Sequence, residues 1–260
     1  MAEEAENNEE QHPALSGVVR LPFGAKFPET EDEVHRDVYL KEMTGIDEEN
    51  IASPALKSNI GKFVTAVLMA GVAKIGSIEE VTEEHIRSLT IADRDFLMVQ
   101  TRIHNFGSDI EDKVKCTFCG ETLQLDADLT ECEVVDRPDD GPVQVDILLK
   151  KGISVGGLES KKVTMRYPTG KDQEATSKEM KVNRAKGSTA LILRCMVTIE
   201  GGIKPSREVV RGMATADRNL IGAVMNNKGP GLRLEHEITC QGCEGVDKYP
   251  IGLENFFTPR

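Results

Sequence analysis

The sequence predicts an α+β protein built as a tandem duplication, with a β-hairpin, two helices and a Cys-x-x-Cys turn in each copy. Three observations carry that prediction. Ala92-Asp93-Arg94 is followed by Cys116-Thr117-Phe118-Cys119, and Ala216-Asp217-Arg218 by Cys240-Gln241-Gly242-Cys243. From Asp93 to Cys116 and from Asp217 to Cys240 the spacing is 23 residues, so an offset of 124 superimposes both features without a gap. Upstream, Thr44-Gly45-x-Asp47 matches Thr169-Gly170-x-Asp172 at an offset of 125. Two registers that differ by one deletion over a long stretch are the signature of an internal repeat. The copies are expected at 19–132 and 143–260, joined by a linker at 133–142 and preceded by an acidic tail at 1–18.

Composition bounds the alternatives. The chain has 260 residues, 39% hydrophobic and 29% charged, which is a globular balance. Trp is absent and aromatics are only 4%, so the core must be aliphatic. No apolar run is long enough to span a bilayer, and the N-terminus lacks the basic and apolar regions of a secretory signal. The net charge of -12 is unevenly placed. Glu3, Glu4, Glu6, Glu9 and Glu10 crowd a tail expected to be disordered, whereas 161–211 carries 12 Lys and Arg against 5 Asp and Glu. That basic segment reads first as a solvated face, and second as a patch for an acidic partner. An acidic chain with one basic segment is a poor general nucleic-acid binder.

The elements follow in order. Val18–Leu21 is a short strand stopped by Pro22 and Gly24, and Val38–Leu40 returns from it. Residues 60–76 are a helix, aligned at an offset of 125 with a second helix at 185–201. Thr90-Ile-Ala-Asp93 is a capping-box-like start, placing Asp93 where negative charge opposes the helix dipole favourably. Phe96, Val99, Ile103 and Phe106 then form one buried stripe, and Gly107 ends the helix. In the second copy Val143, Val145, Ile147 and Leu149 share one strand face, Gly152, Gly156 and Gly157 make the loop, and Val163–Met165 returns. The helix opened by Ala216 breaks by Gly229-Pro230-Gly231. Short strands deliver each Cys-x-x-Cys turn and carry the chain away from it.

A Cys-x-x-Cys turn lets two sulfurs converge on one ion, and two such turns complete a tetrahedral site. In a reducing compartment such pairs read as metal ligands before disulfides. Cys116, Cys119, Cys240 and Cys243 are therefore expected to hold one structural zinc, shared across a pseudo-twofold axis in a zinc-ribbon-like arrangement that staples the halves. The bland reading is two thiol pairs in ordinary turns. Cys195 is expected as buried packing, and Cys132 has no matched neighbour. The Ala-Asp-Arg triplets are expected to be helix starts with a structural ion pair, since no nucleophile or histidine partners them. His12, His35, His85, His104 and His236 do not recur at either offset, and His236 is taken as a surface residue. Neither a phosphate loop nor a nucleophile elbow is present, so no catalytic residue is assigned.

Met43-Thr-Gly-Ile-Asp-Glu48, Ser53-Pro-Ala-Leu56, Leu89-Thr-Ile-Ala-Asp-Arg-Asp-Phe-Leu97, Arg102-Ile-His-Asn-Phe-Gly107 and Cys116-Thr-Phe-Cys119 occur in that order. Over about 38–125 this order resembles the baseplate hub protein family of contractile-tailed, T-even-like bacteriophages, which includes hub subunits and hub-assembly chaperones. The second copy matches less well, with Met225-Asn-Asn-Lys-Gly229 in place of the Arg-Ile-x-x-Phe-Gly end. The resemblance implies a non-enzymatic structural or assembly role exercised through other baseplate, hub or tube proteins. It places the chain in the virion tail baseplate, or in the host cytoplasm during assembly, with no membrane partner. A baseplate of a phage-derived contractile injection system is a variant of that reading. A zinc-ribbon nucleic-acid module is the alternative from another class.

Overall fold

Strand edges and caps fix the first sheet. The computed structural model describes residues 17–30, 33–226 and 229–252, so most of the expected acidic tail lies outside the described residues. Strand β1 (Gly17–Ala25) pairs antiparallel with β2 (His35–Leu40). It runs on through Pro22 and Gly24, where the sequence suggested a stop. Its register shifts between Arg20 and Ala25, and β1 is the sheet edge, where a residue without an N–H is tolerated. Helix α1 (Gly45–Ile51) starts at Thr44, whose N–H donates to Asp47 at 2.8 Å in a capping box. Helix α2 (Ile60–Gly71) is capped by Asn59, whose side chain accepts from Lys62 N at 3.2 Å.

The expected helix through Gly76 ends early. At Val72 the chain turns into β3 (Val72–Ile75), the third strand of the sheet, paired with β2. Gly71 sits against Thr101, so the last turn of α2 lies close on the following helical layer. That layer is α3 (Glu83–Ser88) and α4 (Ile91–Phe106). Thr90 Oγ1 accepts from Asp93 N at 3.1 Å, and α4 stops at Gly107, whose φ of 84° suits glycine. Phe96 and Val99 are buried as expected, but Phe106 is 46% exposed, so the stripe fades over the last turn. Strands β4 (Asp109–Lys115) and β5 (Thr122–Asp128) form a hairpin, and β6 (Val134–Val135) follows.

The second half repeats this order. Strands β7 (Gln144–Val155) and β8 (Leu158–Arg166) form a long hairpin. Gly152 lies within β7 rather than in its loop, at a register shift between Leu148 and Ile153. Within the strand face read from sequence, Ile147 and Leu149 are buried, whereas Val143 is exposed. Helices α5 (Gly170–Val182) and α6 (Arg184–Cys195) lead to β9 (Met196–Ile199), which pairs with β8. Then come α7 (Arg207–Gly212), α8 (Thr215–Asn226), β10 (Gly231–Leu232), β11 (Glu235–Thr239) and β12 (Val246–Pro250). β10 pairs with β6, which ties the expected linker to the second half.

Matched contacts correct the alignment read from sequence. Asn59 caps α2 through Lys62, and Asn183 caps α6 through Lys186, an offset of 124 rather than 125. The one-residue difference therefore falls between Asp47 and Asn59, where α1 ends while α5 continues to Val182. Asp93 accepts from Phe23 N at 2.8 Å in β1, and Asp217 from Lys150 N at 2.6 Å in β7. Arg94 donates to Gly61 O, Thr65 Oγ1 and Ile86 O. Arg218 donates to Ala185 O, Thr189 Oγ1 and Val210 O, each partner 124 positions on. The triplet arginines thus cross-brace helices through carbonyls and a hydroxyl, not through the ion pair expected of them.

Three apolar clusters hold the chain. Leu21, Val38, Leu68, Ile75 and Leu97 centre the first half, and Ile147, Val163, Ile192, Val210 and Ile221 the second. Val99, Leu125, Leu129, Tyr249 and Ile251 form a third, drawn from both halves. The halves also meet where α5 packs on α2. Glu174 accepts from Thr65 Oγ1 at 2.7 Å and from Arg87 Nε at 2.9 Å, and Asn59 Nδ2 donates to Glu174 O at 3.0 Å. α1 and α6 make no comparable contact, so the twofold relation expected between halves does not extend to the helical layer.

A Cβ at Gly61 would lie 2.6 Å from Glu174 N, so Gly61→Ala should destabilise by about 1–3 kcal/mol. Gly222, inside α8 with nothing within 4 Å of an added Cβ, should instead gain about 0.5–1 kcal/mol as Gly222→Ala. Urea midpoints check both. Burial alone would raise the pKa of Asp172, yet bonds from Arg166, Thr169 N–H and Arg194 hold it at about 2. Its contribution is thus fully present above the unfolded value near ~3.9 and is lost as pH falls toward 2. Acid unfolding of Asp172→Asn should show a shallower pH dependence in that window than the parent.

Candidate metal centre

Each cysteine pair sits on a hairpin turn that the backbone closes in the same way. In the first, Gly120 N donates to Cys116 O at 2.9 Å and Cys116 N to Glu121 O at 2.8 Å. In the second, Glu244 N donates to Cys240 O at 2.8 Å and Cys240 N to Gly245 O at 2.9 Å. Both turns require a left-handed residue after the second cysteine: Gly120 at φ 79° and Glu244 at φ 56°. β4 and β5 present the first turn, and β11 and β12 the second.

The turns face each other. Cys116 Sγ lies 3.7 Å from Cys243 Sγ, and Cys119 Sγ 3.7 Å from Cys240 Sγ. All four sulfurs fall within 4.8 Å of one another. A tetrahedral zinc with Zn–S of about 2.3 Å separates its sulfurs by about 3.8 Å, so the set fits that ion in size, number and donor type. Cys116 and Cys240 are buried, while Cys119 and Cys243 are exposed.

Two contacts around the sulfurs are reciprocal at the 124 offset. Phe118 packs on Gly245, where an added Cβ would meet its ring at 2.5 Å, and Glu121 packs on Gly242. Thr117 Oγ1 donates to Asp247 at 2.6 Å, and Thr117 N to Tyr249 Oη at 3.3 Å. None of Glu121, Asp247 or Tyr249 was singled out from sequence. Only their positions beside the cysteines could have drawn attention to them.

Electrostatics favours a cation here. The N–H groups of Cys119 and Phe118 aim at Cys116 Sγ and bring its thiol down to about 6. Glu121 N–H favours the Cys119 thiolate too, but the neighbouring Cys116 and Cys243 sulfurs outweigh it and push that thiol up to about 12. The Cys116 thiolate is easily formed, whereas thiolates at Cys119 and Cys240 need an opposing positive charge close by.

The other residues considered from sequence lie elsewhere. Asp93, Arg94, Asp217 and Arg218 brace helices and strands. Cys195 is fully buried in the second core, and its thiol is pushed up to about 12, by burial first. Cys132 packs beside the third cluster. His236 is half-buried, opposite Tyr249 in the second hairpin. In the basic segment, Lys162, Arg166, Lys171, Arg194 and Arg207 are held in ion pairs with Asp146, Asp172, Glu84, Asp172 and Glu179. No helix among the described residues is long and apolar enough to cross a membrane.

Fold and site define a mixed α/β protein in which two Cys-x-x-Cys hairpins converge on a site of metal-binding size. The family model described as T4 bacteriophage base plate protein matches residues 70–258, and the chain belongs to that family. The match extends through the second half, beyond the 38–125 region where the sequence resemblance was strongest. No curated protein and no solved structure matches the chain.

The left-handed Glu244 gives a local test. Its Cβ makes that conformation costly, so Glu244→Gly should raise stability by about 0.5–1 kcal/mol, measured by thermal unfolding.

Proposed function

We propose that the chain is a non-enzymatic structural or assembly protein of the hub of a contractile phage tail baseplate, acting through protein–protein contacts. The family match over 70–258 carries this reading. Its partners are other baseplate, hub or tube proteins, and its place is the virion tail, or the host cytoplasm while tails are built. The same reading extends to the baseplate of a phage-derived injection system.

The proposal includes one structural zinc held by Cys116, Cys119, Cys240 and Cys243, and the mutual spacing of their sulfurs supports it. When bound, such an ion cross-links hairpins 121 residues apart in the chain, and its binding free energy becomes part of folding. A Trp-free aliphatic core gains rigidity from that link, and a rigid unit holds its neighbours in register. The proposal also takes 19–132 and 143–260 as copies of one ancestral unit, joined at 133–142. The recurring element order and the matched bonds of Asp93/Asp217 and Arg94/Arg218 support that history. A nucleic-acid role gains little support, because five of the twelve cations in the basic segment are engaged in ion pairs.

The chain purified from a zinc-supplemented host should carry about one zinc per chain and co-purify with other baseplate proteins. Cys116→Ser with Cys240→Ser should release the metal and cost about 3 kcal/mol or more, by elemental analysis and denaturant titration. A metal-free chain as stable as the metal-loaded one would end the zinc proposal. Tight binding to DNA at low salt without baseplate partners would favour the nucleic-acid reading instead.

A further inference from the structure

The contact between the halves has a receiving face and an inserted face, and each exists a second time without its mate. In the first half Asn59, Gly61, Thr65, Arg87 and Arg94 form the receiving face. Glu174 and Gly170 of α5 sit on it, Gly170 directly against the Arg94 guanidinium. The residues 124 positions on rebuild that face in the second half. Asn183 caps α6, Arg218 braces Ala185 and Thr189, and Arg211 stands where Arg87 does. Here Asn183, Ala185 and Arg211 are exposed, and a cavity of about 900 Å³ lies over α6, α7 and the start of α8.

The inserted face recurs in α1. At an offset of 125, Gly45, Glu49 and Ala52 take the places of Gly170, Glu174 and Ser177. Their spacing puts them on one helix face, and all three are exposed. A Cβ added at Gly45 would have nothing within 4 Å, and the neighbouring Ile46 is 71% exposed. Charge is complementary. The groove carries Arg184, Lys186, Arg211 and Arg218, while α1 carries Asp47, Glu48 and Glu49. Neither Glu49 nor Arg211 has an ion-pair partner among the described residues.

We propose that the groove over α6 and α7 is a docking site for α1 of a second copy of this chain, with Glu49 seated against Arg211 and Thr189 as Glu174 is against Arg87 and Thr65. The face that receives differs from the face that inserts, so copies join head to tail and build a ring or an open filament rather than a closed pair. One substitution sets the strength. Ala185 occupies the place of Gly61, and its methyl holds the incoming helix off the distance at which Glu174 lies in the internal contact. The contact between copies is therefore weaker than the one within the chain, and it depends on concentration.

The inference rests on reading the chain as an interaction protein, but it is tested on the purified, nuclease-treated full chain alone. Failure of self-association and failure to capture baseplate proteins are thus separate results. Sedimentation velocity over a concentration series should show species larger than the monomer. Glu49→Lys and Arg211→Glu should each weaken association by about tenfold or more without moving the thermal transition. Mixing the two should restore association, because each supplies an intact face for the other and the two reversed charges also match one another. Ala185→Gly should tighten association. If one charge variant misfolds, the other and Ala185→Gly still decide. A monomer at every concentration, association unchanged by Glu49→Lys and Arg211→Glu, or association lost with nuclease treatment would overturn the proposal.

Discussion

Four sulfurs from hairpins more than a hundred residues apart lie within 4.8 Å of one another, and the rest of the molecule is arranged so that they can. Each hairpin is closed by its own backbone bonds, and Leu123, Leu125 and Tyr249 turn one face of each into the third apolar cluster. Beside the sulfurs the turns add small contacts: Phe118 on Gly245, Glu121 on Gly242 and Thr117 on Asp247. Such contacts orient the turns. A doubly charged ion held among the sulfurs would add the attraction that lets several thiolates coexist.

The halves are joined differently at their two levels. At the sulfurs the contacts are reciprocal, so Cys116 meets Cys243 as Cys240 meets Cys119. In the helical layer they are one-sided, with α5 lodged on α2 and no matching approach of α1 to α6. Two units that meet symmetrically at one end and with an offset at the other leave one helix and one groove unmatched. That asymmetry gives a repeated architecture distinct surfaces on its two sides, which suits a protein whose family belongs to a larger assembly.

Much of this was legible in the sequence, for identifiable reasons. The spacing from each Ala-Asp-Arg helix start to its turn is the same, 23 residues from Asp93 to Cys116 and from Asp217 to Cys240, so the four sulfurs could be named in advance. Caps such as Thr90 with Asp93 declare themselves through residue type and spacing. What escaped was set by tertiary contact. β3 and β9 looked like helix ends, since a short apolar run has no period of its own, and pairing with β2 and β8 decided their state. The register was misplaced by one residue, because the α2 and α6 stretches were matched on apolar residues at 66–68 and 191–193, while the Asn caps fix the alignment. Pro22 and Gly152 read as stops, yet edge position and bulges carried both strands through. The pivot role of Glu174 could not be read from a single charge in a basic stretch.

The central claim is that these four sulfurs, and no other donors, bind one zinc that links the halves. X-ray absorption at the zinc edge of the purified chain measures this most directly. The account predicts a first shell of four sulfur atoms at about 2.3 Å. A shell containing nitrogen or oxygen donors, or fewer than four sulfurs, would contradict it.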